Sequence, residues 1–280
     1  MVESRNSFHN ECIGKLLNKI NGCHVEFTGK LGLYKIIETE DRTKTLWSEY
    51  FNEACHNLSG AYSETVYNYI EGCKIPAQII SSADIHVLDV GFGLGVGLSA
   101  FIDEIKKYKN LSGKSFNYVS MELDEDLFLW SVKNNFQDYT FTKQDNYYSY
   151  TFEISGDARL SAMIFIGDGR VTIPEAFRQN KFSKFTAVFQ DAFSPKKNPV
   201  LWTTEWFDDL KIMSTSEVYM STYSASVSVR KSMVLAGWKI ENAKGFGQKR
   251  TMTKARLIGE TDPLLSAELS RSPTLELHDI

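Results

Sequence analysis

Four alternating glycines, Gly91, Gly93, Gly95 and Gly97, directly follow the apolar run Ile85-His86-Val87-Leu88-Asp89-Val90. Glycine has no Cβ, so its backbone can turn left-handed and let a ligand touch the main chain. In doubly wound sheets, ligands bind where such a loop leaves a strand. The spacing narrows the ligand. A dinucleotide fingerprint, G-x-G-x-x-G, needs glycine at position 96 or 98, which here hold Val96 and Leu98. A P-loop needs glycine and lysine ahead of Ser or Thr, and the loop has no lysine. What stands is G-x-G-x-G led by Asp89. The alternative is a tight strand-to-helix turn with no ligand.

Three more carboxylates end apolar runs. Glu122 follows Tyr118-Val119-Ser120-Met121, where an acidic residue could hold ribose hydroxyls. Asp168 sits in Ile166-Gly167-Asp168-Gly169 and could accept a hydrogen bond from an adenine amino group, or cap a helix. Asp191 leaves Val188-Phe189-Gln190 and opens a loop stiffened by Pro195 and Pro199. Trp202 could wall a pocket there. Asp191 could instead cap the loop's own amides.

The elements that must position these groups alternate. Strands are expected at 85–90, 116–121, 161–166, 185–189 and 217–221, and helices at 98–107, 124–134, 173–178 and 203–213. The strands are apolar on both faces, as in a parallel sheet covered by helices on each side. Residues 237–240 and 251–256 read as a hairpin that adds an antiparallel strand. His24 to Phe27 and Leu33 to Ile37 read as a small N-terminal β element, and 63–72 as a helix stopped before Pro76. The fold class is therefore α/β: a doubly wound, Rossmann-like sheet with a C-terminal antiparallel hairpin. The expected division is 1–75 as an extension, 76–258 as the main domain and 259–280 as a tail without clear periodicity, read as loose.

The G-x-G-x-G loop resembles that of class I S-adenosylmethionine-dependent methyltransferases. The resemblance implies S-adenosyl-L-methionine as cofactor, bound by Gly91, Phe92, Gly93, Gly95, Glu122 and Asp168. Methyl transfer from a sulfonium chiefly requires alignment of donor and acceptor. An amine acceptor adds a demand, since an aliphatic ammonium with a pKa near ~10.4 is protonated at neutral pH. A carboxylate can attract it, orient it and take its proton, and Asp191 is the candidate catalytic residue.

Asp191-Ala192-Phe193-Ser194-Pro195-Lys196-Lys197-Asn198-Pro199-Val200-Leu201-Trp202 is similar to the D-G/A-F-x-P-x-K-N-P-x-x-W signature of the tRNA wobble-uridine methyltransferase family. Members form 5-methylaminomethyl-2-thiouridine from the aminomethyl precursor at the anticodon's first position. Lys244 to Met252 resembles the family's K-G-F-G-x-K-R-x-M, Gly91 to Gly95 its G-F-G-T-G, and Gly60 to Thr65 its G-x-x-E-[ST] with one residue more between Gly60 and Glu64. The resemblance covers most of 44–252. It implies tRNA as substrate, with Phe193, Lys196, Asn198, Trp202, Lys244, Lys249 and Arg250 contacting substrate or RNA; Lys254 and Arg256 could add phosphate contacts. Tyr50 and Phe51 could stack on a base or be core. It also implies Glu64 as a second carboxylate near the amine or the cofactor's amino end; the alternative is a helix N-terminal Glu. Leu94, Gly97 and Gln190 depart from the family's usual Thr, Asn and Leu. The bifunctional member's flavin-dependent oxidase domain does not fit in 280 residues, so a stand-alone transferase is expected.

Composition sets limits. A net charge of −4 argues against wrapping nucleic acid over the whole surface and leaves room for a local basic patch. Cys12, Cys23, Cys55 and Cys73 form no C-x-x-C pair, the five histidines are scattered, and no metal site is expected. No apolar run approaches the ~20 residues of a membrane helix. A cytoplasmic protein with reduced thiols is expected. The competing reading is a small-molecule amine methyl- or aminopropyl-transferase on the same fold.

Overall fold

The computed structural model describes residues 25–81, 84–155 and 158–279. His24, Cys12 and Cys23 lie outside these. The first strands, β1 (Glu26–Gly29), β2 (Gly32–Glu38), β3 (Lys44–Ser48) and β4 (Glu53–Ala54), form a four-stranded antiparallel meander.

The larger sheet is built from β5 (Asp84–Val90), β6 (Ser115–Glu122), β7 (Thr142–Lys143), β8 (Tyr147–Ser155), β9 (Ala158–Ile166), β10 (Phe185–Phe189), β11 (Ser214–Thr222), β12 (Lys239–Lys244) and β13 (Thr251–Arg256). Its order is β12-β13-β11-β10-β5-β6-β9-β8-β7. The five central strands from β11 to β9 run parallel. The β12–β13 hairpin joins antiparallel to β11, as its sequence suggested. A second antiparallel pair, β7 and β8, extends the opposite edge through β9. The reading of the sequence passed over this pair, although Tyr148, Tyr150, Phe152 and Ile154 alternate with period two between Asp145-Asn146 and Gly156-Asp157.

Side-chain alternation divides the core. Ile85 and Val87 of β5 join one apolar cluster, Leu88 and Val90 the other. Both faces are covered, which is why the run is apolar throughout. The helices are α1 (Ala61–Thr65), which continues as a π-turn over Val66–Glu71, then α2 (Ile75–Ser81), α3 (Val96–Lys106), α4 (Glu125–Asn135), α5 (Gly169–Arg178), α6 (Thr204–Ile212), α7 (Val227–Leu235) and α8 (Pro263–Arg271). Pro76 does not terminate a helix: it lies in the first turn of α2, where its missing N–H has no partner to lose.

Two elements sharpen the sequence reading. The tail is not loose. Asp262 caps α8 by accepting from Leu264 N and Leu265 N, and Leu265 and Leu269, one turn apart, are buried. Beyond α8, Leu277 O accepts from Thr204 N, and Asp279 pairs with Arg170 at 2.5 Å. The N-terminal meander, for its part, packs on the glycine loop and α4. Tyr34, Ile36 and Leu46 share a cluster with Leu94 and Leu127, and Phe27 stacks on Trp130 at 4.8 Å. Asp124, the α4 N-cap, also accepts from Leu31 N and the Tyr34 hydroxyl, pinning the β1–β2 turn to the helix.

Candidate active site

Strand order reverses between β5 and β10, which pair in parallel with Phe189 opposite Asp89. Both chains leave the sheet at this switch point, so the glycine loop and the Asp191 loop emerge side by side. A Cβ built on Gly91 would lie 3.6 Å from Asp191 O. A cavity of about 390 Å³ opens here, within the usual size of small-molecule sites. Gly91, Phe92, Gly93, Gly97, Glu122, Asp168, Asp191, Phe193 and Asn198 all line it, along with Asp89, Tyr50, Phe51, His56 and Lys197.

Gly91 and Gly93 hold φ of 106° and 53°, values that favour glycine, and present backbone to the cavity. Gly97 sits against Asp89: an added Cβ would fall 2.4 Å from its Oδ2. Gly95 caps α3 from a left-handed conformation and lies outside the lining. Leu94 is 3% exposed and belongs to the cluster that seats the N-terminal meander, which accounts for an apolar residue at that point. Gln190 is buried. Its amide donates to Leu201 O and accepts from the Trp206 indole, so it braces the pocket wall without facing the cavity.

Glu122 Oε2 accepts from Gly93 N at 2.9 Å and Oε1 from Asp124 N at 3.0 Å. Burial pushes its pKa up to about 7. Asp168 is exposed at the cavity edge and caps α5 through Arg170 N, so its capping role and its position in the lining coexist. The loop backbone and these acceptors suit a nucleoside-type cofactor: glycines where it approaches, and carboxylates for hydroxyl and amino groups.

Asp191 is a strongly perturbed carboxyl of the cavity. Burial drives its pKa well above the ordinary value, and the nearby charge of Asp89 adds to the rise. Tyr69, from the π-turn, donates to Asp191 Oδ1 at 2.5 Å and opposes that rise. Asp89 is itself raised to about 7 by burial, while the Tyr118 hydroxyl donates to its Oδ2. His56 Nε2 lies 3.9 Å from Asp191 Oδ2. Tyr69, Tyr118 and His56 carried no sequence signal as site residues. Each reaches its carboxylate across the fold, Tyr69 over 122 residues.

Other candidates are placed differently. Glu64 is buried, accepts from Asn57 N at 2.6 Å and pairs with Lys249 at 2.9 Å. It contributes to the field at Asp191 and does not line the cavity. The Lys249 ammonium also sits 4.6 Å from the Tyr223 ring centroid, and Tyr223 donates to Ala192 O. Trp202, expected as a wall, is fully buried. Its indole donates to Phe193 O, so it supports the loop from behind. Phe193 stacks on Phe51 at 4.1 Å, and Tyr50, 61% exposed, stands edge-on to Phe51. Lys196, Lys244 and Arg250 are exposed and outside the lining. Among the described residues no helix is long and apolar enough to cross a membrane.

Comparison with known proteins accords with this geometry. A family described as S-adenosyl-L-methionine-dependent methyltransferase matches residues 132–258. An uncharacterized protein of Methanocaldococcus jannaschii is 28% identical over 228 residues, 79% of this chain and 58% of that one. The tRNA 5-methylaminomethyl-2-thiouridine biosynthesis bifunctional protein MnmC of Leptospira interrogans is 27% identical over 246 residues, 81% of this chain and 35% of that one. The chain thus spans little more than half of the first relative and about a third of the second. The crystal structure of MnmC2 from Aquifex aeolicus superposes with a TM-score of 0.68 at 26% identity, covering 88% of this chain and 78% of that one. Sheet order, glycine loop and these matches define a class I S-adenosyl-L-methionine-dependent methyltransferase. Within that class, the chain is similar to methyltransferase domains of the MnmC type.

Proposed function

We propose that the chain N-methylates the aminomethyl group of the tRNA wobble uridine, converting 5-aminomethyl-2-thiouridine to 5-methylaminomethyl-2-thiouridine. The observation that carries this reading is Asp191: a deeply set carboxyl beside the glycine loop, in a cavity edged by the aromatic residues Tyr50, Phe51 and Phe193. The similarity to the Leptospira tRNA-modifying protein and the loop from Asp191 to Trp202 support the same substrate.

When bound, the cofactor supplies an electrophilic methyl group on a sulfonium. The backbone of Gly91 and Gly93 would hold it, with Glu122 toward its ribose hydroxyls and Asp168 toward its adenine amino group. Asp191 attracts the substrate ammonium and takes one proton from nitrogen, leaving a neutral amine with a free lone pair. A carboxyl raised by burial and by Asp89 is a stronger base than an exposed one, so this transfer is less uphill. Phe51 and Phe193 exclude water from the same volume. Exposed Lys196, Lys197, Lys244 and Arg250 supply the local positive charge that an acidic chain needs to meet phosphates.

The test is incubation of the protein with labelled cofactor and tRNA bearing the unmethylated aminomethyl nucleoside, followed by nucleoside analysis. A labelled methylaminomethyl nucleoside at the wobble position is expected. Label appearing only in free small amines would move the assignment to a small-molecule amine transferase.

A further inference from the structure

His56 lines the cavity beside Asp191, and its side chain is 9% exposed. Its Nδ1 lies 3.0 Å from Thr45 Oγ1, and the same oxygen accepts from His56 N at 3.1 Å. Thr45 is fully buried in β3. With one lone pair taken by the backbone amide, the hydroxyl proton has Nδ1 as its partner among the described residues. The opposite tautomer would leave that buried proton unsatisfied. The hydroxyl therefore fixes the proton of the neutral ring on Nε2. The Asp191 carboxylate favours the same tautomer, although 3.9 Å is too long for a direct bond. Nε2–H is thus a donor without a hydrogen-bond acceptor among the described residues, held next to the carboxylate that receives the amine.

We propose that His56, oriented by Thr45, is a specificity-determining donor that reads a carbonyl oxygen adjacent to the substrate's aminomethyl group. This rests on the function proposed above. In that substrate the aminomethyl carbon is attached to C5 of uracil, and the neighbouring ring substituent is O4. Uracil O4 is an acceptor, whereas the equivalent group of cytosine is an amino donor. A fixed N–H donor accepts the first and meets the second with donor against donor. Burial also pushes His56 down to about 4, so the ring carries a single N–H at neutral pH.

Two measurements on the full chain test this. Nitrogen-15 NMR of the histidine rings, assigned with His56→Gln, should show Nε2 protonated and Nδ1 bare at neutral pH. A protonated Nδ1, or a doubly protonated ring, overturns the proposal. Methylation of two anticodon stem-loops that differ only in carrying 5-aminomethyluridine or 5-aminomethylcytidine then reads specificity. The uridine substrate should be preferred about tenfold or more in kcat/KM. His56→Leu should bring the ratio near one, and His56→Gln, which keeps an N–H donor, should restore part of it. Calorimetric cofactor binding by each variant verifies that it is folded. If wild-type protein methylates the uridine substrate and His56→Leu keeps the same ratio, the proposal fails and the proposed function stands. If wild-type protein methylates neither, the proposed function fails and takes this inference with it.

Discussion

The Tyr69 hydroxyl donates to Asp191 Oδ1 across 2.5 Å, tying the π-turn after α1 to the loop after β10. Tyr69 is 1% exposed and stacks on Phe189, so the phenol has little freedom to leave its acceptor. The π-turn brings this side chain to the carboxylate. Extra-residue turns of this kind recur at functional sites. The bond works against burial and against Asp89, both of which favour the protonated carboxyl.

Tyr69→Phe removes that donor and keeps the ring. The Asp191 pKa should rise further, since a bond to the charged form has been lost. The base form is then reached only at higher pH, so the acidic limb of kcat/KM should move upward, by about one unit for a bond worth ~1.4 kcal/mol. A pH–rate profile checks this. An unmoved limb would mean that Asp191 does not titrate in the rate-determining form.

Asp191→Asn should keep cofactor affinity within a few-fold and lower turnover by ~10²–10⁴, the usual contribution of a positioned proton acceptor. It should also stabilise the protein. The folded-state pKa of Asp191 lies above its unfolded value, so its ionisation destabilises the fold as pH rises from the unfolded pKa through the folded one. The gain in Tm over wild type should therefore be larger at pH 8 than at pH 5. A gain that shrinks with rising pH would contradict the burial of this charge.

The sheet and the glycine-loop side of the cavity were legible in the sequence because they rest on local signals. An apolar run, a glycine-rich turn and a terminal carboxylate are all short-range, and they fixed β5, its loop and Glu122. The opposite wall was legible in Asp191, with Phe193 and Asn198 beside it. The neighbours of Asp191, Tyr69 and His56, belong to segments whose meaning depends on a distant strand end. Trp202 misled for a related reason: an aromatic next to a site can pack behind the wall as well as in it. The tail's cap, Asp262 before Pro263, was present as a signal. It was masked by Ser and Pro residues around a helix with only two buried leucines.

The basic residues of the β12–β13 hairpin should separate by function. Arg250 is exposed, and no ion pair holds it among the described residues, whereas Lys249 is occupied by Glu64 and the Tyr223 ring. Arg250→Ala should weaken tRNA binding and lower the slope of log K against log salt by about one. Lys249→Met should change that slope less and lower Tm by several degrees, because it strands the buried Glu64 carboxylate. Filter binding across a salt series and thermal melts read both. Equal slopes for the two variants would place Lys249 on the phosphates as well.

Two glycines of one loop should respond oppositely to alanine. Gly95 has φ 74°, and a Cβ there would meet the Phe136 ring at 2.4 Å and the Phe92 ring at 2.9 Å. Both rings are buried, so neither can move away without opening the core beneath α3. Gly95→Ala should cost about 1–3 kcal/mol, from backbone strain and overpacking together, and lower Tm. Gly93 has φ 53°, and a Cβ there meets nothing within 4 Å. Gly93→Ala carries only the left-handed backbone cost of about 1–2 kcal/mol, but its methyl enters the cavity rim where the cofactor's backbone contacts would form. Its Tm loss should be the smaller of the two, and its loss of S-adenosyl-L-methionine affinity by calorimetry the larger, tenfold or more if one such contact worth ~1.4 kcal/mol is lost. If Gly93→Ala binds as well as wild type while Gly95→Ala does not, the cofactor approaches the loop from the α3 side and the assignment of Gly93 to it is wrong.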